Sequence, residues 1–161
     1  MNGKLTRRSF GALASAAILS GVAGRAFAQP ASGAPVRIGF SMSLSGGLAG
    51  NGRSSLLAQQ IWAKDINARG GLLGRPVELV YYDDQSAGAN VPGIYTKLLD
   101  VDKVDLVVSG YGTAIIAPAM PVIMQRGAAF VTLLGSGTNE MFKYDRCANV
   151  SPVGSRMHVD F

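Results

Sequence analysis

From Val36 onward the chain alternates short apolar runs with segments of helical periodicity. The runs VRIGFSM (36–42), VELVYY (77–82), VDLVVSG (104–110) and AAFVTLL (128–134) have strand length, and CANVSP, from Cys147, is a weaker fifth. Between them, Leu57 with Ile61 and Ala58 with Trp62 and Ile66 fall at i, i+4 spacing and predict a helix over about 54–69, apolar on one face and closed by Gly70-Gly71. A second helix is predicted over about 91–100, with Asn90 as its cap and a stripe of Ile94, Leu98, Tyr95 and Leu99. A third spans about 116–126, where Pro118 and Pro121 are acceptable only if they lie in its first turn.

Strands alternating with helices imply an α/β fold: a doubly wound, mostly parallel sheet with helices on both faces. Such a sheet binds ligands outside the carboxyl ends of its strands. Four loops share that edge: Ser43 to Asn51, Asp83 to Gly88, Ser109 to Thr113 and Gly135 to Glu140. They are rich in Gly, Ser, Thr and Asn, which places function there.

The segment before the first strand reads differently. Residues 1–28 carry Lys4, Arg7, Arg8 and Arg25 with no acid, then the short apolar stretch GALASAAILSGVAG and a small-x-small site ending at Ala28. This is the layout of an export signal peptide, cleaved near Ala28, and its apolar run is too short for a permanent membrane span. TRRSF (6–10) resembles a twin-arginine signal, with a general secretory signal as the alternative. Residues 29–35 then form a Pro/Ala/Ser/Gly linker, and the lobe proper runs over 36–161.

Composition changes meaning once the leader is set apart. Of the fifteen basic residues in the chain four lie in the leader, while all ten acids lie outside it, so the remainder carries eleven against ten, a net charge of +1. No basic stripe with interleaved aromatics survives, and no nucleic-acid partner is expected. One cysteine, Cys147, excludes an internal disulfide and a cysteine-cluster zinc site, and it is expected to be a small buried residue. One histidine, His158, leaves no Ser/His/Asp or Cys/His arrangement to assemble. The chain is therefore not expected to be an enzyme, and no catalytic residue, metal or cofactor is assigned.

The first loop, SMSLSGGLAGNGR (41–53), invites a nucleotide reading. Its glycines Gly47, Gly50 and Gly52 give G-x-x-G-x-G, the reverse of the dinucleotide fingerprint, and no phosphate-binding G-x-x-x-x-G-K-[ST] occurs. Asp83 and Asp84 stand where a ribose-binding acid would, so a dinucleotide-dependent oxidoreductase domain stays open as the alternative. Adjacent acids in an extended segment point to opposite sides, and a turn-stabilising role is the ordinary one. SGYGTA (109–114) and LGSGTNE (134–140) pair glycines with hydroxyls near helix starts, where free amides and the positive dipole end favour a carboxylate.

At DINARGGLLGRPVELVYYDDQS (65–86) the chain resembles the periplasmic binding proteins of branched-chain amino-acid and amide ABC transporters. The likeness extends through GFSMSLSGGLAGNG, VDLVVSGYGT, APAMPVIMQRGAAFVTLLGSGTNEMF and SPVG, about residues 36–157. It implies a type I periplasmic binding fold, a lobe of flavodoxin-like strand order, binding an amino-acid-like or carboxylate solute in the periplasm for an inner-membrane ABC permease. A ligand-sensing domain without transport is the other reading.

By position the resemblance places ligand contacts on Thr113, the Ala114 amide, Ser136 and Thr138. It puts Asn51 where relatives often carry an aromatic over the ligand, which leaves amides, polar amino acids and aromatic acids open. A cysteine pair found in some members falls on Ser86 and Gly112, so that staple is absent. The family's chain also crosses into a second lobe soon after SPVG and returns to complete the first. This sequence is thus expected to be a truncated first lobe, binding weakly or not at all, with apolar surface uncovered where the returning segment belongs.

Overall fold

The computed structural model describes residues 31–133 and 144–150. The leader, Ser136, Thr138 and His158 lie outside the described residues. Among the described residues, five strands form one sheet: β1 (Val36–Met42), β2 (Val77–Asp83), β3 (Leu106–Val108), β4 (Phe130–Thr132) and β5 (Cys147–Asn149), in the order β2-β1-β3-β4-β5. All four pairings are parallel, with Val36 opposite Val77, Ile38 opposite Leu106, Val107 opposite Phe130, and Phe130 opposite Cys147. The order reverses direction between β1 and β3, so the crevice beyond their carboxyl ends is the switch point of the sheet.

Helices α1 (Ala49–Ala68), α2 (Val91–Asp100) and α3 (Thr113–Gln125) complete the described layers. Strand residues alternate between the two faces. Val36, Ile38 and Val77 turn to the α1 side and pack with Ala63, Ile66 and Leu79. The opposite side holds the larger core, where Tyr95 and Leu98 of α2 and Ile115, Ile116 and Ile123 of α3 close over Val107 and Phe130. Tyr95 meets the Phe130 ring edge to face at 5.7 Å.

Four elements depart from what periodicity predicts. Helix α1 starts at Ala49, not near Ser54, because Gly50 and Gly52 of the first loop enter the helix instead of preceding it. Its apolar face is not wholly inward either: Leu57 and Ile61 are 57% and 60% exposed, and only Gly52 and Ala63 are buried. Helix α3 starts at Thr113, not Ile116, and this puts Pro118 and Pro121 in its interior. Each proline removes an amide from the helical ladder. The helix persists because Ile115, Ile116, Ala119, Met120, Val122 and Ile123 are all buried. Strands β3 and β4 are three residues each, shorter than their apolar runs. Val104 belongs instead to the turn leaving α2, where its amide bonds the Leu98 carbonyl at 3.1 Å.

Residues ahead of β1 are tied to the turn before β2. The Ser32 amide bonds the Gly74 carbonyl at 2.9 Å, and the Arg75 guanidinium donates to the carbonyls of Ala34 and Pro35 at 2.8 and 3.0 Å. On the α1 side an apolar groove of about 400 Å³ runs between the helix and the sheet. Ile38, Leu79, Val108, Val131 and Leu133 form its floor, and Ala58 and Trp62 one wall. Val131 and Leu106 on this side are 36% and 42% exposed, a half of the sheet face that no described helix covers.

Candidate functional site

The loops after β1, β2 and β3 meet at the carboxyl edge of the sheet, and the acid pair after β2 fastens the first of them. Asp83 Oδ1 accepts hydrogen bonds from the amides of Leu44, Ser45 and Gln85 at 2.9, 3.2 and 2.8 Å. Its Oδ2 accepts from the Ser45 hydroxyl at 2.6 Å. Desolvation pushes this carboxyl upward, but the Ser45 hydroxyl and the amides of Gln85, Leu44 and Ser45 together hold it below the ordinary carboxylate range. Asp84 turns the other way and is fully buried, its Oδ1 accepting from the Ser43 hydroxyl at 2.6 Å and the Ser86 amide at 2.9 Å. Both acids thus fasten turns: Asp83 is engaged through both oxygens, and Asp84 through Oδ1, its Oδ2 being buried without a hydrogen-bond partner among the described residues.

Ser86 finishes the fastening. Its hydroxyl donates to the Ser45 carbonyl at 2.6 Å and accepts from the Leu48 amide at 3.0 Å. Where relatives with a cysteine pair would join the second loop to the third, this chain joins the second loop to the first by hydrogen bonds.

The third loop is shaped by Gly112, whose φ of 86° and ψ of 150° are strained for any residue with a Cβ. Its carbonyl accepts from the amides of Ile115 and Ile116, both at 3.0 Å, which begins α3. Thr113 and Ala114 therefore occupy the first turn, where the helix supplies no acceptor for backbone amides and its dipole favours an anion. Ala114 is exposed and Thr113 half-buried. Asn51 reaches the same edge from the first turn of α1, and its Nδ2 donates to the Tyr111 hydroxyl at 3.0 Å.

The structure thus brings Asn51, Thr113 and Ala114 to one edge, and Ser136 and Thr138 lie outside the described residues. Sequence reading missed Tyr111. The signal for it was present, an aromatic between Gly110 and Gly112 inside a loop already assigned to the ligand edge.

Beneath the loops lies a buried polar floor. The Tyr95 hydroxyl donates to the Val108 carbonyl at 2.7 Å, and burial pushes its phenol far above the ordinary range. The Ser109 hydroxyl donates to the Gly110 carbonyl and accepts from the Leu133 amide, both at 3.0 Å, joining the third strand to the fourth. Cys147 is half-buried against the larger core instead of fully enclosed, and burial raises its thiol. Among the described residues no three His, Cys, Asp or Glu side chains group closely enough to hold a metal ion.

The profile of the periplasmic binding protein family matches residues 35–156. No curated protein matches the sequence significantly. Among solved structures, the branched-chain amino-acid transporter substrate-binding protein LivJ of Streptococcus pneumoniae, in complex with isoleucine, is 27% identical with a TM-score of 0.67, over 71% of this chain and 33% of that one. A branched-chain amino-acid ABC transporter protein of Silicibacter pomeroyi is 32% identical with a TM-score of 0.55, over 61% of this chain and 25% of that one. A solute-binding protein of Rhodopseudomonas palustris in complex with 3,4-dihydroxybenzoic acid shares the fold at 19% identity and a TM-score of 0.64, over 71% and 31%. The chain spans about a third or less of the length of these structures. It belongs to the periplasmic binding protein family, and its structure is similar to those of branched-chain amino-acid ABC transporter substrate-binding proteins.

Proposed function

We propose that this chain is the first lobe of an exported solute-binding protein that captures a small amino-acid-like or aromatic carboxylate for an inner-membrane ABC permease. The observation that carries the reading is the start of α3 at the switch point: Gly112 aims the first turn, with Thr113 and the Ala114 amide, at the carboxyl edge. A ligand carboxylate fits there by charge and by hydrogen bonding. Ser136 and Thr138 are the proposed contacts from the fourth loop. The proteins of similar fold bind isoleucine, benzoate or 3,4-dihydroxybenzoic acid, all of them carboxylates.

Binding of this kind needs no bond chemistry, only amides and hydroxyls on the carboxylate and closure of a cleft around the rest. The arginine-bearing leader, cleaved near Ala28, would deliver the protein to the periplasm by the twin-arginine route. The apolar groove beside α1 is the proposed seat of a segment from the remainder of a longer protein, and a second lobe would close the cleft.

Isothermal titration with isoleucine, glutamine, benzoate and 3,4-dihydroxybenzoate tests the site. Weak binding that deepens when the chain is supplied with the second half of a homologous binding protein is expected. Low-micromolar affinity for the chain alone would show that the second lobe is dispensable, and retention of NAD(P) in place of a carboxylate would overturn the reading.

A further inference from the structure

Asn51 and Tyr111 come from different loops and meet across the mouth of the proposed site. Asn51 is exposed on the first turn of α1, and Tyr111 is half-buried two residues before Thr113. The 3.0 Å bond uses one Asn51 amide hydrogen and one lone pair of the phenol oxygen. Among the described residues neither side chain has another side-chain hydrogen-bonding partner. Among the described residues, the phenol proton, the second amide hydrogen and the Asn51 side-chain oxygen therefore stay open to a ligand or water.

We infer that Asn51 and Tyr111 act as one specificity element, selecting carboxylates whose far end carries a hydroxyl or a carboxamide over those ending in an alkyl group or a bare ring. The inference rests on the proposed carboxylate site and deepens it. With the carboxylate at Thr113 and Ala114, the far end of a small ligand lies toward the mouth that the pair spans. A hydroxyl or carboxamide there both donates and accepts, matching the groups the pair leaves open. An alkyl end would strip water from the phenol and the amide and return nothing. Sites built to hydrogen-bond a polar ligand group discriminate strongly against the analogue that lacks it.

The pair also stiffens the mouth. Asn51 lies where the first loop becomes α1 and Tyr111 where the third turns into α3, so their bond fixes the distance between two otherwise separate loops. Loss of either partner is expected to lower selectivity through both the lost contact and the looser mouth, with the fold intact, since neither side chain belongs to the core.

Ligand-detected NMR titration of the full chain reads weak affinities and uses two matched pairs: 4-hydroxybenzoate against benzoate, and glutamine against leucine. The wild type is expected to favour the polar member of each pair by about tenfold in Kd, the scale of one retained hydrogen bond. Tyr111→Phe, which removes only the hydroxyl, and Asn51→Leu are each expected to bring the ratio below about threefold. Asn51→Gln should restore part of the preference. Circular dichroism confirms that each variant is folded. Variants that keep the wild-type preference, or a wild type that favours benzoate and leucine, would overturn the inference and leave the carboxylate site standing. Absence of binding for all four probes, by the chain alone and with the second half of a homologous binding protein supplied, would overturn the carboxylate site, and the inference with it.

Discussion

Gly52, in the first turn of α1, lies directly against the backbone of Ser43, the residue after β1: a Cβ added there would stand 1.9 Å from the Ser43 carbonyl oxygen. Glycine within a helix is ordinarily a weakness of about 1 kcal/mol relative to alanine. Here the sign reverses, because the obstacle is main chain and cannot rotate away. Gly52→Ala is expected to destabilise by about 2 kcal/mol, in the range of overpacked sites. Urea unfolding monitored by circular dichroism checks it, and an increase in stability would refute the close approach.

Asp83 makes a pH prediction. Its carboxyl is held below the ordinary range in the folded protein, so its contribution is fully present above the unfolded-state pKa and is lost as pH falls through the lower folded value. Stability should decline below about pH 4 partly for this reason. Asp83→Asn is expected to cost about 1 kcal/mol at pH 7 and to flatten that acid decline. Chemical unfolding across pH 3 to 7 measures both.

Beneath the edge, Tyr95 is fully buried with its hydroxyl on the Val108 carbonyl. Tyr95→Phe keeps the ring packed on Phe130 but leaves that acceptor without its partner. A loss of about 1–2 kcal/mol is expected, with a larger loss for Tyr95→Leu, which also removes the edge-to-face contact.

The groove on the α1 side should bind an apolar dye such as anilinonaphthalene sulfonate. Trp62, the single tryptophan, lines it and reports the event by energy transfer to the dye. Val131→Lys places a charge on the floor at a residue already 36% exposed, and dye binding is expected to fall severalfold while stability changes by no more than about 0.5 kcal/mol. Dye binding unaffected by this substitution would place the apolar surface elsewhere.

Much of this arrangement is legible along the chain because its cause is local. Strand β1 has the predicted bounds and α2 the predicted length, since an uninterrupted apolar run and a strong stripe leave few alternatives. The Gly70-Gly71 stop of α1 is equally local, with both glycines in the left-handed region at φ of 101° and 78°. Asn90 is less faithful to expectation: it stands at the start of α2, but its side chain donates to the Asp84 carbonyl at 3.1 Å instead of capping the helix.

The sequence by itself determined the alternation of strands and helices, the loops that share the carboxyl edge, and the likeness that placed Asn51, Thr113 and Ala114 there. Periodicity and turn chemistry act over a few residues and can be read from them. Only the tertiary structure decided that Gly50 and Gly52 of the first loop belong to α1, that two prolines sit inside α3, and that Leu57 and Ile61 face outward. It also decided the partners: Asp83 with Leu44 and Ser45, Ser86 with Ser45, and Asn51 with Tyr111. Those contacts join residues 38 to 60 positions apart, and their energy exists only once parallel pairing has carried the loops to one edge.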